Sequence, residues 1–286
     1  MAKKKRSNRM TLRGRWLGQR LRELREANDF TLEHVAEFMQ RTNGTISRFE
    51  NGVYPVRRPD MLAMLDLYGV NDPRQRDGLL KLSASVWQSG WWDGYADVSE
   101  EFVDFVWLEE LATEHRLFDN TALPGILQTR AYAEAVIRTA EFDGSDDLIQ
   151  RGVELRLERQ KLLTRAEPPR IRSVLDEAVL RRHVGSSEIM REQLAHLVEC
   201  SKLPTVSLRV LPFSAGAHES PTGAFKYYVM DDPYPDLVYA ETPKGAVYIE
   251  QPDTERLAAR YDRLWEKSLP EADSVEFISA LTEELP

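Results

Sequence analysis

The sequence predicts two domains, an all-α N-terminal domain and a mixed α/β (α+β) C-terminal domain, from three observations. A chain of 286 residues is long enough for two domains with a core each. Up to about residue 74, apolar residues recur at helical spacing in short segments separated by turn residues. From 108 onward, helical patterns alternate with short β-rich runs bounded by Pro and Gly.

The composition favours a folded, water-soluble protein. Hydrophobic residues make up 42% and charged residues 30% of the sequence. No apolar run approaches the ~20 residues of a membrane span, and no apolar segment follows the basic start. We therefore expect a cytoplasmic protein without membrane contact. The single cysteine, Cys200, lies in an apolar pattern and is expected to be a buried thiol, so neither a disulfide nor a metal or other cofactor is predicted.

The charge is distributed unequally along the chain. Residues 1–70 hold 14 Lys and Arg against 8 Asp and Glu, a net charge of +6. The remaining residues hold 24 against 39, a net charge of −15. This asymmetry is typical of a nucleic-acid-binding module joined to an acidic body. The most basic segment is an arm over residues 1–14.

Four or five short helices are predicted within residues 15–74. The amphipathic segments are WLGQRLRELREA, TLEHVAEFM, TNGTISRFENG and DMLAMLDLYGV. The predicted N-caps of the last three are Thr31, Thr42 and Asp60. Two of these helices are joined by a tight turn, which predicts a helix-turn-helix unit.

The segment TNGTISRFENG carries hydrogen-bond donors, small side chains and one Arg on its polar face, with no acid before its end. In a helix-turn-helix the second helix lies in the major groove of double-stranded DNA, and its early residues reach base edges. We expect Asn43, Thr45 and Arg48 to read bases, with Thr42 and Ser47 near the DNA backbone. Asn can pair with adenine and Arg with guanine, each pair giving about 1–3 kcal/mol of discrimination.

Further basic residues surround this helix. Lys4 and Arg6 in the arm, and Arg57 and Arg58 in the following loop, are suited to phosphates or a minor groove. Because one unit of ~70 residues reads only a few base pairs, a homodimer on symmetric half-sites is expected.

Residues 75–107 are predicted to form a helix and an aromatic-rich connector. Four of the six Trp of the chain fall between 87 and 107. One interpretation is a core that docks the two domains together. The other is a ligand cage or protein-binding surface, for which Trp91, Trp92 and Tyr95 are the candidates.

Residues 108–286 form the predicted α/β domain. The segment RIRSVLDEAVL begins as a strand and becomes a helix, and VSLRVLP, GAFKYYVMDD, DLVYAET and GAVYIEQ are predicted strands. Long helices are expected over LIQRGVELRLERQKLLTRA, which Pro168 and Pro169 would end, and over SEIMREQLAHLVECSKL, DTERLAARYDRLWEKSL and DSVEFISALTEEL.

No catalytic constellation appears in the sequence, so we do not expect an enzyme. The five histidines are scattered, and no GxSxG, P-loop or Rossmann fingerprint is present. His218 lies in the loop FSAGAHESPTGAF, where a turn of small residues explains most of the pattern and a contact with a ligand is the alternative.

The N-terminal segments resemble phage-repressor-like regulators of the Cro/cI or xenobiotic-response-element type. The resemblance implies a structural ion pair between Arg25 and Glu50 and places Ala36 where two helices cross closely. The ENG ending of the family's recognition helix is present in this sequence. Two positions depart from the pattern. Leu32 replaces a Gln that commonly binds phosphate, and Gln40 replaces the Gly of the turn.

The remainder resembles actinomycete regulators with a C-terminal domain of undefined chemistry, including WhiJ-like and antitoxin-like proteins. The resemblance rests on GWWDGY, LPGILQTRAYAEAV, RLERQKLL, VLDEAVLRR, LPTVSLRVLPFSAGAH and RYDRLW, in that order along the chain. The late part is also similar to phospholipase-D-like domains. It lacks their catalytic His-x-Lys, so such a domain would bind rather than hydrolyse.

What these resemblances imply is a DNA-binding transcriptional repressor with a small acidic, BldB-like partner protein. The C-terminal domain would sense a small-molecule effector or bind that partner. An enclosed cavity with a few polar groups would favour the small molecule, and an open apolar groove the partner. The alternative is an antitoxin-like protein that acts mainly on a toxin-like partner, with DNA binding serving autoregulation.

Overall fold

The computed structural model separates into two compact units, which we call the N-terminal unit and the C-terminal unit. The N-terminal unit holds Met1–Phe105 with Asp232–Tyr234, and the C-terminal unit holds Val106–Asp231 with Pro235–Pro286. No helix in the part of the chain that the structure describes is long and apolar enough to cross a membrane. The described residues are 11–86, 100–141, 143–232, 234–243 and 245–285.

The N-terminal unit is built from helices. Thr31 and Thr42 cap α2 and α3 as predicted, because each hydroxyl accepts a hydrogen bond from the backbone N–H three residues later. The all-α prediction for this region is confirmed over its described residues. The helices are α1 (Leu12–Ala27), α2 (Leu32–Phe38), α3 (Asn43–Glu50), α4 (Arg58–Leu67) and α5 (Pro73–Ser85), and α6 (Glu100–Leu111) begins in this unit.

The prediction that Asp60 caps the fourth helix is wrong. Helix α4 begins at Arg58 with Arg57 as its N-cap residue, because Pro59 fits the first turn with its fixed φ and missing N–H. Asp60 therefore lies inside that turn, where its carboxylate accepts from Arg41 Nη2 at 3.0 Å. An acid at this position also interacts favourably with the helix dipole.

Helices α1 and α3 cross with their backbones in contact. A Cβ atom added at Gly18 would lie 2.4 Å from the carbonyl oxygen of Glu50, so only glycine fits at this crossing. Around it, Leu17, Leu21 and Ile46 are at most 2% exposed. Their burial removes apolar surface of both helices from water and so stabilises the packing of α3 against α1.

The C-terminal unit contains a six-stranded sheet in the order β3-β2-β1-β4-β5-β6. Strands β1, β2 and β3 are parallel, whereas β4, β5 and β6 are antiparallel, so β1 lies where the two halves meet. The strands are β1 (Glu114–Asp119), β2 (Arg170–Asp176), β3 (Val206–Leu211), β4 (Phe225–Val229), β5 (Leu237–Thr242) and β6 (Gly245–Ile249).

This arrangement confirms the mixed α/β prediction, although β1 is absent from the sequence prediction. The long helix predicted to run to Pro168 and Pro169 is shorter, because it ends at Gln160 and a 3-10 turn follows over Lys161–Thr164. The helices are α7 (Arg130–Ala140), α8 (Asp146–Gln160), α9 (Glu177–Arg181), α10 (Ser187–Cys200), α11 (Asp253–Lys267) and α12 (Glu271–Glu284).

The sheet has a core on each face, because successive strand residues point to opposite faces. On one face Leu117, Leu175 and Leu208 pack with residues of α10 and α12. On the other face Phe118 and Val238 pack with residues of α11. As predicted, the Cys200 thiol is buried, and this burial raises its pKa to about 11.

Candidate DNA-binding site

The turn between α2 and α3 sets the start of the candidate recognition helix. Gln40, which stands where the resemblance expects Gly, has a φ of 51° in the left-handed region. This conformation costs a non-Gly residue about 1–2 kcal/mol. It ends α2 two residues before Thr42, the N-cap residue of α3. The Thr42 hydroxyl accepts from Thr45 N at 3.2 Å and contacts Thr45 Oγ1 at 3.0 Å.

The two faces of α3 differ in chemistry. Ile46 and Phe49 are buried against the unit, whereas Asn43 and Arg48 are exposed and Thr45 is half-buried. Ser47 is also half-buried, and Asn51 Nδ2 donates to its hydroxyl at 3.2 Å. The outward face therefore offers an amide, hydroxyls and a guanidinium.

Glu50, the acid at the end of α3, is turned inward. Its carboxylate accepts from Arg25 Nε at 2.6 Å and Nη2 at 3.1 Å, and it is only 4% exposed. These hydrogen bonds are the main cause that raises the pKa of Arg25. Arg25 also donates to the carbonyl of Phe30 at 2.8 Å, so one guanidinium joins α1, the loop before α2 and the end of α3.

Arg48 has an aromatic neighbour that sequence reasoning missed. Its Cζ lies 5.2 Å from the ring centroid of Tyr54, which is 44% exposed. The loop is held there because the backbone N–H groups of Val53 and Tyr54 donate to the Arg48 carbonyl at 2.9 and 3.2 Å. The sequence signal that could have indicated this contact was Tyr54 itself, an aromatic residue in the loop directly after the helix.

An open groove of about 460 Å³ lies between α3 and the start of α4. Arg57 and Arg58, the predicted phosphate contacts, are exposed at this end of the unit. Arg57 borders the groove and makes no ion pair within the described ranges. The groove is lined by Arg41, Thr45, Phe49, Tyr54, Pro55, Arg57 and Asp60.

Of the predicted ligand residues, only His218 lies in the part of the chain that the structure describes. His218 belongs to the C-terminal unit, where its Nδ1 accepts from Ser220 N at 3.2 Å and its Nε2 lies 4.0 Å from Asp176 Oδ2. The Ser220 hydroxyl donates to Gly223 O instead, so these three side chains do not form a nucleophile–base relay. The predicted sites Lys4, Arg6, Trp91, Trp92 and Tyr95 lie outside the described residues.

Comparison with known protein families agrees with this division of the chain. Residues 16–79 match a family described as a helix-turn-helix domain, which contains α2, α3 and α4. Residues 102–280 match a family described as a domain of unknown function (DUF5753). No curated protein matches the chain. The helix-turn-helix match supports a DNA-binding regulator.

Proposed function

This chain belongs to the DUF5753 family, and on that premise we propose that it is a sequence-specific transcriptional regulator that reads double-stranded DNA with α3. The observation that carries the proposal is the outward face of α3. It exposes Asn43 and Arg48, while the acid of its last turn, Glu50, is buried against Arg25. A helix with this surface meets base edges without placing a negative charge against the DNA.

Each exposed group has a role in this proposal. Asn43 and Arg48 reach base edges in the major groove, with adenine and guanine as their preferred partners. Thr45 lies beside them, and Thr42 and Ser47 contact the sugar-phosphate backbone. The phosphate contacts of the flanking segments come from Arg57, Arg58, Lys4 and Arg6.

We further propose that the protein acts as a homodimer of the xenobiotic-response-element type and represses transcription. A single α3 reads only a few base pairs, so two copies on symmetric half-sites are needed for a specific operator. The resemblance to actinomycete WhiJ-like regulators supports a role in transcription.

The C-terminal unit is proposed to receive the signal without catalysing a reaction. Its resemblance to an inactive phospholipase-D-like fold supports binding, and the loop of His218 holds no nucleophile–base relay among its described residues. The signal is a small-molecule effector or a small acidic, BldB-like partner protein. In the antitoxin-like alternative, that partner is toxin-like and DNA binding serves autoregulation.

The proposal is tested by fluorescence anisotropy with the full-length protein and DNA from upstream of its own coding region, over a series of salt concentrations. Arg48→Ala should weaken specific binding about 5- to 150-fold, the equivalent of about 1–3 kcal/mol. The matched control is Arg20→Ala on α1, whose partner is the exposed Glu23 at 2.9 Å. If Arg48→Ala binds the specific fragment as tightly as the parent, α3 is not the reading helix.

A further inference from the structure

The groove between α3 and the start of α4 brings three charged side chains next to the reading helix. It is lined by Thr45 of α3, by Arg41 of the preceding turn, and by Arg57 and Asp60 at the beginning of α4. Arg41 is absent from the predicted site residues, because it precedes α3 in sequence. Since Thr45 belongs to both the groove and the proposed reading helix, DNA bound to α3 lies beside the groove.

The lining of the groove combines apolar surface with exposed cations. Phe49 is 6% exposed and Pro55 is half-buried, whereas Arg41 and Arg57 are both exposed. Guanidinium groups bind phosphate oxygens with strong, charge-assisted hydrogen bonds. The groove holds about 460 Å³ and is open to solvent, so a backbone phosphate of a bound duplex can reach both arginines.

The two arginines of the groove differ in their pairing. Arg41 Nη2 donates to Asp60 Oδ1 at 3.0 Å, whereas Arg57 has no acidic partner in the part of the chain that the structure describes. The Arg41 side chain is 48% exposed and that of Asp60 is 15% exposed. An ion pair with a half-exposed member contributes little to stability. A guanidinium carries five N–H donors, so Arg41 can bind a phosphate as well as Asp60.

Asp60 opposes the binding of a phosphate in this groove. Its carboxylate competes with the phosphate for the Arg41 guanidinium, and its negative charge repels the phosphate directly. Both effects act on DNA of any sequence, because phosphate contacts carry no sequence information. The base contacts proposed for α3 do not involve Arg41 or Asp60.

We propose that Arg41 and Arg57 bind one backbone phosphate of the DNA in this groove, and that Asp60 weakens this contact by holding Arg41. Asp60 thereby lowers specific and non-specific affinity by the same factor, which leaves the ratio between them to the bases that α3 reads. The inference rests on the proposed function in one respect, since its partner is double-stranded DNA. The variants that test it leave Arg48 unchanged, so the two proposals can fail separately.

The test is fluorescence anisotropy with the full-length protein, the specific fragment and an unrelated duplex of equal length, over a series of salt concentrations. Asp60→Asn should tighten binding to both duplexes about 3- to 10-fold and make the logarithmic salt dependence steeper by up to about 1. Arg41→Gln should weaken binding to both duplexes by a similar factor. Arg48→Ala should instead weaken mainly the specific fragment, because it removes a base contact.

Asp66→Asn is the matched control, because it makes the same change of charge in the same helix. Asp66 stands near the other end of α4 from the groove, is 65% exposed and pairs with Arg76 at 2.6 Å. This variant should change binding by less than about 2-fold, since exposed charges farther from the DNA are screened by salt. Tightening by Asp60→Asn that is no greater than this overturns the proposal, as does parent-like binding by Arg41→Gln. Tighter binding cannot result from misfolding, so the first variant remains informative whatever its stability.

A free phosphate ligand has the same chemistry as the DNA backbone, and calorimetry without DNA distinguishes the two. Inorganic phosphate titrated into the full-length protein should give no binding heat. If the parent binds inorganic phosphate and Arg41→Gln does not, while both bind DNA equally, the groove belongs to a free ligand and the DNA contact is refuted. Specific binding by the parent that Arg48→Ala removes would leave the proposed function standing in that case.

Discussion

Replacing Glu50 by Gln should destabilise the N-terminal unit, because it leaves the half-buried guanidinium of Arg25 without its buried acid. Glu50 is 4% exposed and accepts three hydrogen bonds from arginines, two from Arg25 and one from Arg22 Nε at 3.4 Å. Gln preserves the shape and one carbonyl acceptor, so the loss comes from charge rather than from volume.

The size of the expected loss in stability depends on which contacts Arg25 retains in the variant. Breaking a buried ion pair by removing one partner costs about 3–5 kcal/mol. Arg25 keeps the carbonyl of Phe30 at 2.8 Å and the exposed carboxylate of Glu26 at 3.1 Å, which lowers this figure. We expect Glu50→Gln to reduce the free energy of unfolding of the N-terminal unit by about 2–4 kcal/mol.

Hydrogen exchange measures this unit by itself, without requiring the whole chain to unfold in one step. The slowest amides of α1 and α3 should exchange about 30- to 1,000-fold faster in Glu50→Gln, the equivalent of 2–4 kcal/mol. The control Glu26→Gln removes the exposed contact of the same guanidinium and should change exchange by less than about 5-fold. Equal exchange in the parent and Glu50→Gln would refute the view that this pair holds α3 in place.

Three further outcomes are expected. Gly18→Ala should destabilise the N-terminal unit by about 3 kcal/mol, because its Cβ would lie 2.4 Å from the Glu50 carbonyl oxygen; urea unfolding followed by circular dichroism measures this, and an unchanged midpoint would contradict the close crossing. Tyr54→Ala should weaken specific DNA binding about 2- to 5-fold through the lost cation–π contact with Arg48, whereas Tyr54→Phe should bind like the parent; anisotropy distinguishes them, and equal losses would exclude the ring as the cause. Asp119 has a folded pKa of about 7, above its unfolded value, so its contribution to stability is present below about pH 4 and is lost as the pH rises to 7. Asp119→Asn should therefore become more stable relative to the parent across this range, by on the order of 2–4 kcal/mol in chemical unfolding; a difference independent of pH would show that Asp119 ionises normally.

The sequence was sufficient for elements whose pattern is local. Helices α2 and α3 were predictable because Thr31 and Thr42 cap them and apolar residues recur at helical spacing. Strands β3 to β6 were predictable because they are short apolar runs between turns. The start of α4 was not predicted correctly, because two local signals disagree. Asp60 is a common N-cap residue, whereas Pro59 favours a position inside the first turn.

Strand β1 was missed because its sequence, EHRLFD, reads as polar. Its buried polar residues Glu114 and His115 are paired by tertiary contacts that no local pattern records. Glu114 meets arginines that include Arg170 of β2, while His115 Nε2 lies 2.9 Å from a carbonyl of α6. The burial of Asp119 was not predictable for the same reason. A buried acid has no sequence signature that separates it from an exposed one.

The two units differ in the sequence separation of their contacting residues, and this difference sets the order in which their contacts become possible during synthesis. All but three residues of the N-terminal unit precede residue 106, and α1 to α5 contact one another within that stretch. Strand β1 instead pairs with a distant strand, β4, with Glu114 opposite Val229. This pairing can form only after β4 has been synthesised. At about 5–20 residues per second, the partner of β1 leaves the ribosome roughly 6–25 s after it. The residues of α1 to α5 are therefore all synthesised well before the sheet of the C-terminal unit can be completed.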